Sequence, residues 1–91
     1  MKHSHNTVAV RTRLKRIEGQ VKGIAKMVEE DRECIDIFIQ ISAVSSALNN
    51  VARIIMEDHI EHCVVEGIKS GEQEETLENL KTVFAQFTRI P

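Results

Sequence analysis

Residues 32–67 read RECIDIFIQISAVSSALNNVARIIMEDHIEHCVVEG, with no proline and no glycine before the last position. Apolar side chains at Ile37/Phe38, Ile41, Val44, Leu48, Val51 and Ile55 recur at steps of three and four, which places them on one face of an α-helix. The stretch predicts one helix of about 34 residues that starts near Arg32, with the Asp31 carboxylate as its N-cap. A rod of this length is more than a short chain can cover, so it predicts a coiled-coil or bundle partner. A second reading breaks the rod at the polar patch SSALNN, residues 45–50.

Upstream, from about Thr7 to Glu30, the residues Val10, Leu14, Ile17, Val21, Ile24 and Val28 form another three-and-four seam. At 100° per residue they span an arc of about 80°, whereas Arg11, Lys15, Lys22 and Lys26 occupy about 60° on a different side. Gly19 and Gly23 each cost such a helix about 1 kcal/mol relative to alanine, which points to close packing or a backbone contact there. Downstream, KSGEQEE is a turn, and Leu77, Leu80, Phe84 and Phe87 mark a shorter amphipathic helix ending near Thr88. The expected fold is all-α: a three-helix protomer with a long central helix, one domain over residues 1–91, with residues 1–6 as a flexible tail.

The composition agrees, with no Trp or Tyr, three Phe, and one Pro at the last of 91 positions. So short a chain buries little surface and needs support from other chains. No secretory signal is visible and no stretch approaches the roughly 20 apolar residues of a membrane span, which predicts a cytoplasmic protein with no membrane partner. Two cysteines in a reducing compartment point to a metal or redox pair rather than a structural disulfide. No acid/base pair and no nucleophile with an aligned base is present, so an enzyme with a small-molecule substrate is not expected.

The net charge of −2 conceals an asymmetry. Residues 1–26 hold seven Lys/Arg against one acid, and the remainder hold five basic and thirteen acidic groups. A basic first helix on an acidic chain is a candidate surface for nucleic acid.

His59 and Cys63 are four apart and share one helix face, where both reach a single ion. His62 projects about 60° to the far side of His59 and reads as solvated. The other cysteine, Cys34, lies 29 residues upstream of Cys63, which on a continuous helix is roughly 44 Å away. One chain cannot close that distance. Two such helices paired antiparallel bring Cys34 of one chain opposite His59 and Cys63 of the other, giving two identical sites split between protomers. Two thiolates and an imidazole suit three-coordinate Cu(I) or, with a fourth ligand, Zn(II) or thiolate-rich Ni(II). His3 or His5 in the N-terminal tail is the available fourth donor. Metal that bridges chains biases the whole assembly, which is the physics of a sensor.

With those three ligands in place, RLKRIEGQVKGI, EDRECIDIFIQISAVSSALNNVA and EDHIEHCV resemble, in order and spacing, the blocks of the copper-sensitive operon repressor family. That family includes nickel/cobalt, formaldehyde and persulfide sensors, and the resemblance covers almost the whole chain. It implies antiparallel dimers with a four-helix-bundle core assembled as dimers of dimers, and a repressor that binds operator DNA without a helix-turn-helix and leaves it on binding its ligand. The family's Cys, His and Cys fall on Cys34, His59 and Cys63, the pattern of the copper(I) branch, and its DNA-contacting residues map onto Arg13 and Arg53, with Lys15, Arg16 and Gln20 near by. Copper sensors often carry Tyr before the first cysteine and Glu sixteen residues after the second, where this chain has Glu33 and Asn79. Lys2 departs from the formaldehyde branch, and His59 from the persulfide branch. The expected function is derepression of metal efflux or resistance genes by Cu(I). The alternatives are a nickel- or persulfide-responsive repressor and a cytosolic copper buffer or carrier.

Overall fold

The structure, a computed structural model, describes residues 7–91 and is all-α over them. His3 and His5, with the rest of the expected tail, lie outside the described residues. The elements are α1 (Thr7–Glu29), α2 (Cys34–Asp58), a π-helical turn (His59–Val64), α3 (Val65–Lys69) and α4 (Gln73–Phe87). Helical backbone continues from Cys34 to Lys69, so the polar patch at 45–50 does not break it.

The chain forms two compact units. In the unit Val8–Val51, α1 ends in a Schellman turn: Arg32 N–H donates to Met27 O (3.0 Å) and Asp31 N–H to Val28 O (3.1 Å). Asp31 sits at the turn's left-handed position with φ +53°, which Asp tolerates better than most residues. It therefore closes α1 rather than capping α2, as the sequence had suggested. The first bonds of α2 run from the N–H groups of Asp36 and Ile37 to Glu33 O, so the helix starts two residues later than expected.

Ile17, Val44 and Val51 are the buried apolar residues of this unit. Much of the seam stays open: Leu14, Val21, Val28, Ile41 and Leu48 are exposed, with Ile35 at 64% and Phe38 at 63%. A Cβ placed on Gly19 or Gly23 meets nothing within 4 Å, so the close packing expected there is not supplied by this chain.

In the unit Ala52–Pro91, the end of α2 runs through the π-turn into α3, and α4 folds back on both. The reversal is a second Schellman turn, with Glu72 N–H on Gly67 O and Gly71 N–H on Ile68 O, and Gly71 takes the left-handed position at φ +86°. Glu74 and Glu75 lie in the first turn of α4, where they complement the helix dipole. Thr76 is 1% exposed and lies against Gly67, where any Cβ would collide with its hydroxyl.

One expectation from the sequence is corrected. The helical run Cys34–Lys69 is, by length and composition, long and apolar enough to cross a membrane. Residues 37–52 carry no Asp, Glu, Lys or Arg at all; their scattered Ser, Asn and Gln obscure that in a simple count of apolar residues. A helix enclosed by other protein surfaces meets the same description.

Candidate metal centre

His59 opens the π-turn, and Cys63 is its fifth residue. The turn arises because Val65 N–H reaches back five residues to Ile60 O instead of four, a local widening that recurs at functional sites. Both potential donors are buried, His59 at 4% exposed and Cys63 at 9%. Cys34 is exposed at the first position of α2. The pair and the single cysteine thus occupy opposite ends of one helical run, and among the described residues no three His, Cys, Asp or Glu groups come together as an ion site.

The last residue of α2, Asp58, was not anticipated. Only 2% exposed, it lies with Oδ1 3.5 Å from Nε2 of His62, one turn on. His62 is therefore a half-exposed partner of a buried carboxylate rather than a freely solvated side chain. Burial pushes the Cys63 thiol up from its ordinary range, and the Asp58 and Glu66 carboxylates add to the effect. Near neutral pH Cys63 is a thiol, so a metal must displace its proton.

α4 covers this end of the site. A cavity of about 360 Å³ holds His59 together with Ile55, Met56, Val83, Gln86 and Phe87. The Phe87 ring stacks on Phe84 at 6.5 Å between centroids. A buried imidazole and a buried thiol within one π-turn are candidate donors for a soft, weakly hydrated ion. These are two candidate donors, one fewer than the described residues would need for an ion site of three.

Of the residues expected to meet DNA, Arg13, Lys15 and Arg16 are exposed on α1. Gln20, also on α1, has its Oε1 buried with no hydrogen-bond partner among the described residues. Arg53 is exposed in the other unit. The neighbouring Lys22 is paired with Glu18 at 3.9 Å. Arg13, Lys15 and Arg16 are exposed cations of one helix, with Arg13 and Arg16 on one side and Lys15 with the Arg11, Lys22 and Lys26 stripe on another, and the described residues hold no recognition element of a familiar DNA-binding motif.

The family model for metal-sensitive transcriptional repressors matches residues 6–86. The chain belongs to that family. This repressor is 52% identical over 88 residues to the copper-sensing transcriptional repressor CsoR of Bacillus subtilis (strain 168), an alignment covering 97% of this chain and 87% of that one. It is 54% identical over 59 residues to the copper-sensing repressor RicR of Mycobacterium tuberculosis (strain ATCC 25618 / H37Rv), across 65% of this chain and 62% of the relative. Its fold matches the Cu(I) form of CsoR from Geobacillus thermodenitrificans NG80-2 with a TM-score of 0.86 at 44% identity, covering 97% of this chain and 92% of the other. The nickel-responsive regulator InrS is also similar, with a TM-score of 0.83 at 36% identity over 96% of this chain and 98% of that one.

Residue types at a metal-ligand spacing made Cys34, His59 and Cys63 candidates from the sequence. Asp58 gave no such signal, because an acidic residue beside a glutamate reads as a solvated helix face.

Proposed function

We propose that the chain is a Cu(I)-responsive repressor acting in the cytoplasm. In this reading the metal-free form holds operator DNA through Arg13, Lys15, Arg16 and Arg53, with Gln20 beside them, and Cu(I) releases it. The ion is held between subunits by Cys34 of one protomer and by His59 and Cys63 of another. The observation that carries the reading is the division of the donors: a buried imidazole and thiol at one end of a helical run, and an exposed thiol at the other. The copper-sensing names of the relatives favour Cu(I) within it. The large exposed apolar residues on α1 and α2 suit an antiparallel dimer with a four-helix-bundle core, assembled as a dimer of dimers.

The same residues do three kinds of work. Cys63 gives up its thiol proton to become a thiolate ligand, His59 donates a ring nitrogen, and the apolar wall of Ile55, Val83 and Phe87 keeps water from the ion. Bound Cu(I) supplies a bridge between chains, and bridging favours one arrangement of the helices over another. DNA affinity comes from phosphate contacts and is salt-dependent, with specificity read largely from DNA shape.

A second reading has one observation in its favour: the likeness to the nickel-responsive regulator. In it His3 or His5 completes a four-ligand Ni(II) site. The test is gel retardation of the chain's own promoter region with metal-free protein, then titration with Cu(I) or Ni(II) under anaerobic conditions. Release by Cu(I) at stoichiometric loading, with none by Ni(II), is expected. Release by Ni(II) alone would move the assignment to nickel, and retention with both metals would remove the sensor reading.

A further inference from the structure

Met56 lies three residues before His59 and seven before Cys63, so all three fall on one side of the helical run. It is also common to two cavities within the Ala52–Pro91 unit. One, of about 360 Å³, contains His59. The other, of about 700 Å³, opens beside α4 between Glu74, Glu78 and Lys81, with Ile60 and Phe84 among its walls. Lys81 is bound to Glu78 at 3.2 Å, so Glu74 leaves the mouth with a net negative charge. Met56 is half-buried, whereas His59 and Cys63 are buried. Accessibility therefore falls from the mouth through the thioether to the imidazole.

We propose that Met56 is a soft-donor loading position, which takes Cu(I) from the acidic mouth and passes it to His59 and Cys63. The inference rests on the copper reading above. Thioethers select Cu(I), and a thioether has no proton to lose, so it accepts the ion without acid–base chemistry. The transfer would be ligand exchange with no change of oxidation state: Met56 Sδ would give up the ion to a ring nitrogen of His59, three residues on and in the same cavity, and Cys63, one turn further, would then bind it as a thiolate, its proton leaving to water. A methionine that merely fills space is replaced by leucine at little cost, since the two have similar volume and apolarity. A loading ligand is not.

The experiment follows anaerobic Cu(I) transfer from a chromophoric bicinchoninate complex to the full-length repressor by stopped flow, comparing wild type with Met56→Leu. We expect Met56→Leu to load about tenfold more slowly while reaching the same final stoichiometry with an unchanged helical circular-dichroism spectrum. In the double variant Cys34→Ser/Cys63→Ser, X-ray absorption at the copper edge should show one sulfur and one imidazole nitrogen, and adding Met56→Leu should remove the sulfur. Loading of Met56→Leu at the wild-type rate, or an unchanged copper edge in the triple variant, overturns the proposal and leaves the copper reading standing. Wild-type protein that takes no Cu(I) at all overturns both.

Discussion

Replacing Gly67 by alanine puts the contact between α3 and α4 to a quantitative test. An added Cβ would overlap the Thr76 hydroxyl and stand 2.9 Å from Thr76 Cγ2 and 3.0 Å from its Cβ. Thr76 is 1% exposed and β-branched, so it has no free rotamer into which to retreat, and α4 itself must shift. Overpacking of this kind costs about 1–3 kcal/mol, and contact at three atoms of one stiff side chain belongs in the upper half of that range. Against it, alanine in place of glycine returns about 1 kcal/mol of helix propensity. The net is a loss of about 1–2 kcal/mol, read from urea denaturation of metal-free protein at fixed protomer concentration, because assembly contributes to apparent stability. Gly19→Ala and Gly23→Ala are the internal controls: with nothing within 4 Å, each should gain up to about 1 kcal/mol. Thr76→Ala in the Gly67→Ala background should restore most of the loss, a coupling outside simple additivity. A Gly67→Ala protein as stable as wild type, or one that Thr76→Ala fails to rescue, would refute the close approach.

Other outcomes follow from the same groups. Among the described residues Thr76 Oγ1 is buried without a hydrogen-bond partner, so Thr76→Val, which keeps the shape and removes the orphan hydroxyl, should be neutral or stabilising in the same denaturation assay. Cys34→Ala should abolish tight Cu(I) binding in a chelator competition yet leave operator binding intact, giving constitutive repression. Arg53→Ala should weaken DNA binding without altering copper affinity, and the slope of log K against log salt should fall by about one contact; unchanged retardation would remove it from the interface. Because Cys63 has its folded-state value raised, its contribution to stability is complete below the ordinary thiol range, about pH 8.5, and is lost as pH rises through the folded value. Metal-free protein should therefore lose stability in the alkaline range, and Cys63→Ser should flatten that decline.

The three helical rods were legible because their apolar residues keep the three-and-four rhythm, and the Ser and Asn side chains at 45–50 could not outweigh the packing face on either side. The role of Asp31 was not legible. An aspartate between two helices can cap the second through its carboxylate or close the first through a left-handed backbone, and the sequence shows only that it can do either. The bonds from Arg32 to Met27 and from Asp31 to Val28 decide for closure. The openness around Gly19 and Gly23 was also hidden, since a glycine that makes room and one that meets nothing are identical in sequence.

The candidate ligand positions stood out in the sequence for a reason unrelated to the turn that carries two of them. Cysteine and histidine are rare, so Cys34, His59 and Cys63 stand out by type, and four-residue spacing joins the last two. Whether backbone hydrogen bonds run to the fourth or the fifth residue back depends on small differences in packing rather than on residue type, and here α4 lies against the π-turn. The same packing explains Asp58. A carboxylate with 2% exposure is strongly disfavoured unless it is paired, and His62 stands one turn away at 3.5 Å. His62 is thereby engaged with Asp58 at half exposure, whereas His59 and Cys63 of the same turn are buried. Asp58 thus sets apart two histidines that the sequence offers three residues apart: one faces a carboxylate at half exposure, and the other is buried.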